Sequence, residues 1–190
     1  VNQSRALRRL AYNRRELYER LVDAAGKVAE LGPRLLACGD AQCVLAYEGQ
    51  AAQVYWGAVS ELGFPSRDPE GGDPFNLALN YGYGLLRYTV WRQVVVHGLD
   101  PYAGFLHVDK SGRPSLVLDL MEEFRPHVDL MVIKLRPTAE WVEGGLLKRE
   151  KRAALVEAWL SLGLEPAVAR QVGAAVAHLE GRAAYAPHVL

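Results

Sequence analysis

"DPFNLALNYGYGLLRYTVWRQVVVHG", Asp73 to Gly98, is the stretch that decides the fold class. Asp73 before Pro74 reads as an N-cap followed by proline at the first helical position, where its missing N–H is no loss. The run that follows is apolar nearly all round, which predicts a long helix, ending at Gly98, in the middle of a bundle. Asn80, Arg87, Arg92 and Gln93 interrupt it, so it does not read as a membrane span. Gly82 and Gly84 would each weaken an isolated helix by about 1 kcal/mol. Their use here predicts close approach of another backbone.

Helical spacing continues on both sides of this segment, and period-two alternation is short wherever it occurs. Ser4 to Leu31 places Leu7, Leu10, Leu17, Leu21, Val28 and Leu31 on one stripe. Ser4 is the expected N-cap, and Gly32-Pro33 the expected stop. Ala46 to Leu62 is a second helix, with Ala51, Ala52, Tyr55, Val59 and Leu62 forming its stripe and Glu48 at the edge of that face. The turn-rich loop "GFPSRDPEGGD", residues 63–73, is expected to be mobile. Downstream, Asp100-Pro101 opens a turn and Ser115 to Phe124 a helix, which Pro126 bends or restarts before "VDLMVIKL". Lys148 to Leu162 and Pro166 to about Glu180 are further amphipathic helices. The expected fold is all-α, a single helical bundle domain over residues 1–190, with a strand or two near Ala37–Ala46 left open.

Composition narrows the function classes. Half of the 190 residues are hydrophobic and 23% are charged, an ordinary globular balance. The 22 basic and 22 acidic residues cancel, so the chain as a whole carries no polyanion-binding signature. Charge is segregated locally: the first 20 residues hold Arg5, Arg8, Arg9, Arg14, Arg15 and Arg20 against Glu16 and Glu19. Cys38 and Cys43 lack a second Cys or His pair at finger spacing, which excludes a zinc finger; reduced thiols in a cytoplasmic protein are expected. The basic N-terminus has no apolar core of a signal peptide.

"GFLHVDKSGRPSLVLDLMEEFRP", Gly104 to Pro126, raises the chemical question. Asp119 and Glu122 are three residues apart and therefore share a helix face, bordering the apolar stripe of Leu116, Leu120 and Phe124. Two carboxylates beside a buried surface need a cation or strong donors to stay ionised. His107 lies across a short turn, and Glu48 comes from another helix. One imidazole and two or three carboxylates form a hard, oxygen-rich set that favours Mg²⁺ or Mn²⁺ over Zn²⁺. A cation of that kind suits phosphodiester chemistry. By spacing alone, an acidic pair of this kind is more often a solvated helix face, and a lone His107 a packing residue. Glu123 points away from the pair and reads as a surface acid. His97, His127, His178 and His188 have no acidic neighbours in sequence that lift them above packing roles.

Three long motifs resolve the choice. "NLALNYGYGLL" (Asn76 to Leu86), "GLDPYAGFLH" (Gly98 to His107) and "GRPSLVLDLMEEFRP" (Gly112 to Pro126) resemble the catalytic domain of the CRISPR-associated adaptation integrases, which insert new spacers into CRISPR arrays. "YEGQAAQVYW" (Tyr47 to Trp56) is similar to the family's upstream glutamate segment, and "EGRAAYAPHVL" (Glu180 to Leu190) to its C-terminal tail. The resemblance implies that Glu48, His107 and Glu122 are metal ligands for Mg²⁺ or Mn²⁺. Asp119 is implied as a further acidic group of the catalytic site.

The activity implied is joining of a DNA 3′-hydroxyl to a phosphodiester of the CRISPR repeat. Cleavage of branched DNA by the same site, a non-catalytic DNA-binding or assembly subunit, and a carboxylate-histidine redox bundle are the alternatives. The last lacks the repeated Glu-x-x-His pairs that such a site uses. Double-stranded DNA is the implied partner, with Arg5, Arg8, Arg9, Arg14, Arg15, Lys110, Arg113 and Arg125 as phosphate contacts whose binding weakens steeply with salt. Asn76, Asn80 and Tyr83 fall on motif positions where either support of the site or DNA contact is open. Two DNA ends and two target strands imply a homo-oligomer, a dimer or tetramer with two-fold symmetry. The family's N-terminal β-rich domain has no counterpart in these residues: the chain is either a fragment or a compact member that lacks the domain, the self-contained N-terminal helix favouring the compact reading. That leaves the ferredoxin-like partner, CRISPR-associated protein two, open. No membrane role is expected.

Overall fold

The computed structural model describes residues 1–106 and 112–190. Among these residues the fold is all-helical: α1 (Asn2–Tyr12), α2 (Tyr18–Leu36), α3 (Ala41–Ser60), α4 (Pro74–Val96), α5 (Ser115–Met121), α6 (Arg125–Leu135), α7 (Arg149–Ser161) and α8 (Glu165–Leu179). The long helix α4 lies at the centre and packs against α5, α6, α7 and α8. Its Ala78, Leu79, Leu86, Val90 and Val94 are fully buried, which is why the sequence is apolar on so many sides. Asp73 caps it as expected, its side chain accepting from the Asn76 backbone N–H at 3.0 Å. Among the described residues no helix is long and apolar enough to cross a membrane.

The N-terminal helix departs from expectation. The leucine stripe from Ser4 to Leu31 does not lie on one rod; α1 ends at Tyr12, and a 3-10 turn over Arg15–Leu17 leads into α2. A single exposed rod would leave that stripe in water, whereas α1 and α2 pack on each other and bury Leu7 and Leu21 completely. Ser4 is not a cap. It is buried inside α1 and its hydroxyl donates to the Ala25 carbonyl at 2.7 Å, pinning the hairpin. Pro33 does not stop α2 either, since it falls in the final turns and the helix ends three residues later.

The connection from α2 to α3 contains no strand. Asp40 caps α3 through the Cys43 N–H at 2.7 Å, and the tight reversal brings the Cα atoms of Cys38 and Cys43 to 5.6 Å. The two cysteines are joined as a disulfide, not held as the reduced thiols expected from composition. That Cα separation is within the range a disulfide requires. Closing so short a loop limits its contribution to about 2 kcal/mol. The extended structure lies elsewhere: β1 (Val142–Glu143) pairs antiparallel with β2 (Leu146–Leu147). Gly144 and Gly145 join them with φ of 57° and 77°, the conformation that a two-residue hairpin demands.

The loop over residues 63–73, expected to be mobile, is tied down. Phe64 stacks on Phe75 with ring centroids 4.6 Å apart. Asn76, 1% exposed, donates to the Ser66 carbonyl at 2.9 Å, and Asn80 donates to the Pro69 carbonyl at 2.9 Å. The C-terminal tail is fastened as well. Gln171 donates to the Ala186 carbonyl at 2.8 Å, and the His188 ring stacks on Phe124 at 4.5 Å. Glu123 is no surface acid: it is half-buried and accepts from the Tyr185 hydroxyl and from the His188 backbone N–H, the latter at 2.6 Å. Asn2 closes the knot, donating to the Glu123 carbonyl at 2.7 Å and accepting from the Leu190 N–H at 3.0 Å.

Two outcomes follow from this packing. A Cβ on Gly82 would lie 2.6 Å from Val128 Cγ1 of α6, whereas one on Gly84 would meet nothing within 4 Å. Gly82 is therefore the close-approach residue and Gly84 is not. Gly82→Ala should cost about 1–3 kcal/mol by overpacking, and Gly84→Ala should gain about 1 kcal/mol, read as Tm shifts of opposite sign. His127, beside His188 and Phe124, is held down to about 4 by burial, with His188 and Arg9 adding repulsion. The unfolded chain takes up this proton near 6.5 and the native state only near 4. Stability is therefore fully present above about pH 6.5 and is lost as pH falls through that window. Tm measured against pH should lose that part of its slope in His127→Asn; an unchanged slope would place the titration elsewhere.

Candidate metal and nucleic-acid site

The acidic pair sits where α5 gives way to α6. Pro126 has no N–H for the Glu122 carbonyl four residues back, so the α5 helix cannot continue through it. Phe124 instead bonds back to the Met121 carbonyl at 2.9 Å, and His127 to the Phe124 carbonyl at 3.0 Å. The resulting tight turn sends neighbouring carboxylates to different places: Glu123 to the tail, Glu122 to Arg125. Arg125 Nε donates to Glu122 Oε1 at 2.5 Å, and the two side chains are 30% and 31% exposed.

Asp119 is occupied differently. Its Oδ2 accepts the backbone N–H groups of Phe105 at 2.6 Å and Leu106 at 3.1 Å. The loop before His107 is thereby laid against the start of α5, where the Leu116 N–H also donates to the Pro101 carbonyl at 3.1 Å. Gly104 makes this approach feasible, because a Cβ there would stand 2.4 Å from Ser115 Cβ. His107 and Lys110 lie outside the described residues. Asp119 thus fixes the backbone two residues before His107.

Glu48 is half-buried on α3, seven residues before Tyr55. That spacing is two helical turns, so both project from one face of α3. Tyr55 is fully buried and directs its hydroxyl at Asp129 without completing an aligned hydrogen bond. The buried face of α3 therefore carries Glu48 toward the same side of the molecule as α6.

Behind Glu122 is a polar cluster whose Asp129 and Arg67 the sequence reading did not single out. Asp129, 2% exposed, lies one turn beyond Arg125 on α6 and accepts the Tyr83 hydroxyl. The Tyr83 ring is flanked by two guanidiniums, Arg125 at 4.8 Å and Arg67 at 5.4 Å from its centroid. Arg67 in turn donates to Asn76 Oδ1 at 3.0 Å and to Asn80 Oδ1 at 2.7 Å. Burial pushes the Asp129 carboxyl up to about 7, against the opposing pull of Tyr83, Tyr55 and Arg125. Burial also works against the charge of Arg125, yet Glu122, Tyr83 and Asp129 hold its pKa above the ordinary value. Asp129 was detectable as the one acid inside the apolar run "VDLMVIKL", because a charge placed there needs partners.

The structure separates the remaining candidates by environment. Arg5, Arg8, Arg9 and Arg15 are exposed, Arg14 and Arg113 are half-buried, and Arg5 donates to the terminal Leu190 carbonyl oxygen at 3.2 Å. Asn76 and Asn80 hold the loop over residues 63–73, and Tyr83, 8% exposed, is turned inward. The hydrogen bonds described for these three are made within the protein. Among the described residues no group of three or more His, Cys, Asp or Glu side chains stands together to hold a metal. The described donors still fit a hard cation: Glu122 has one oxygen engaged by Arg125, and Glu48 is a half-buried carboxylate.

The sequence profile described as "CRISPR associated protein Cas1" matches residues 1–161. The chain is 65% identical over 191 residues to "CRISPR-associated endonuclease Cas1 1" of Pyrobaculum aerophilum, covering 100% of this chain and 63% of that protein. Its fold is similar to a "Casposase bound to integration product" with TM-score 0.74 at 24% identity, covering 95% of this chain and 58% of the other. It is also similar to a "Partial Cas6-RT-Cas1–Cas2 complex" chain with TM-score 0.79 at 19% identity, covering 96% of this chain and 64% of the other. At those identities the likeness is one of fold. The chain spans less than two thirds of the length of these relatives. With the profile extending from the first residue through α7, the chain belongs to the Cas1 family of CRISPR-associated proteins.

Proposed function

We propose that this chain carries the catalytic centre of a metal-dependent DNA integrase, with Glu48, His107 and Glu122 as the ligands of one Mg²⁺ or Mn²⁺. The observation that supports it most directly is the turn between α5 and α6, which presents Glu122 half-exposed on Arg125 while Asp119 draws in the backbone before His107. The bound cation supplies charge stabilisation for a phosphodiester in transfer. Asp119 orients the His107 segment, and Arg125 restrains Glu122. In the reaction a DNA 3′-oxygen gives up its proton and forms a bond to phosphorus, as the bond from that phosphorus to the target strand's 3′-oxygen breaks and that leaving oxygen takes up a proton to become a 3′-hydroxyl. One phosphodiester is made for each one lost, and no covalent enzyme intermediate is required. The exposed arginines of α1 and its following turn contact the duplex backbone. Two-fold presentation of two such centres, by self-association or with a ferredoxin-like second subunit, would serve the two strands of the target.

A second reading, hydrolytic cleavage of branched DNA with water in place of the 3′-hydroxyl, is favoured by the name endonuclease carried by the 65%-identical relative. Short duplexes incubated with a supercoiled plasmid bearing a leader and repeat distinguish the two. Covalent joining with Mn²⁺, abolished by EDTA and reduced at least about 100-fold in Glu122→Ala and His107→Ala, is the expected result. Cleavage without joining would establish the nuclease reading, and undiminished activity in EDTA would remove the metal from the mechanism.

A further inference from the structure

Glu122 sits at a turn, and a glutamate side chain there is free to rotate unless something holds it. We infer that Asp129, Tyr83 and Arg125 form a positioning relay that fixes the rotamer of Glu122. This deepens the proposed metal site and rests on it only for the meaning of Glu122, not for the geometry of the relay.

The relay reads outward from the core. Asp129 is 2% exposed, so its carboxylate cannot be exchanged into water, and it accepts the Tyr83 hydroxyl. That bond sets the tilt of a ring which is itself buried on the central helix. The Arg125 guanidinium lies over this ring, 4.8 Å from its centroid, and Arg67 sits 5.4 Å from the same centroid, held by Asn76 and Asn80. Arg125 is therefore confined by an aromatic surface, and its Nε–H is aimed at Glu122 Oε1, 2.5 Å away. Glu122, Arg125 and Asp129 are spaced three and four apart in sequence, so the three climb one side of the turn and of α6. Holding one carboxylate oxygen on a confined Arg N–H restricts the carboxylate and leaves its second oxygen outside that bond, which is the usual task of groups behind a metal ligand. In this relay Tyr83, Arg125 and Asp129 act through Glu122.

Two readouts test the relay. The first is the Arg125 Nε–H resonance in ¹H–¹⁵N spectra of the metal-free chain, which should be slow to exchange with water. The second is Mn²⁺ affinity measured by titration with electron paramagnetic resonance. Tyr83→Phe keeps the ring and removes the hydroxyl; it should speed exchange at Arg125 and weaken Mn²⁺ by about 10-fold. Arg125→Lys keeps the charge without the planar fork and should weaken Mn²⁺ similarly, which a purely electrostatic role would not produce. Asp129→Asn still offers Oδ1 to Tyr83 and should stay within about twofold of wild type, whereas Asp129→Leu should behave as Tyr83→Phe does. If Asp129→Leu does not fold, Tyr83→Phe decides alone. Unchanged exchange and unchanged Mn²⁺ affinity in Tyr83→Phe would overturn the relay. Altered exchange in Tyr83→Phe, with Mn²⁺ affinity indifferent to Glu122→Ala, would support the relay and overturn the metal reading.

Discussion

The break between α5 and α6 is the constraint on which the candidate site depends. Pro126 removes the donor that would have carried α5 onward, and the chain makes a tight turn through Glu122, Glu123 and Phe124. Adjacent carboxylates are thereby dispatched in different directions. Glu122 meets Arg125 near the surface, and Glu123 turns to the C-terminal tail. A continuous helix would have set the two side chains about one hundred degrees apart around a single axis. The turn instead gives each carboxylate its own partner, Arg125 for Glu122 and the tail for Glu123.

The interior behind this turn is polar. Tyr55, Tyr83 and Asp129 meet there with Arg125 and Arg67 at the Tyr83 ring, and each burial is costly without such partners. Apolar residues of the same volume would stabilise the bundle as well or better. What they could not do is orient a guanidinium. In the proposed site the cluster would serve orientation in place of stability; its Asp129, at 2% exposure, is the most buried acid among the described residues.

Much of this was legible in the sequence, and the omissions have physical causes. The cap at Asp73, the central helix, the restart at Pro126 and the all-α architecture depend on local rules of capping and periodicity, which act within a few residues. Family motifs supplied Glu48, His107, Asp119 and Glu122 as a set, which spacing alone left open. The missed features depend on where the chain turns and on what it meets there. Leucines of the first segment fit one rod as well as a hairpin, because periodicity is blind to a reversal at Asn13. Glu123 looked like a surface acid because its partners, Tyr185 and His188, lie more than sixty residues away. The loop over residues 63–73 read as mobile from its turn formers, although Arg67, Asn76 and Asn80 lash it to α4. The cysteines read as thiols because compartment rules were applied where a tight reversal set the geometry.

The knot at Asn2 brings the first helix and the last residues of the chain to one point. Asn2 bonds both the Glu123 carbonyl and the Leu190 N–H, so residues 2 and 190 meet at one corner, beside the residue that follows Glu122 in sequence. Loosening either partner would free the backbone of Glu123, and with it the turn that carries the proposed ligand Glu122.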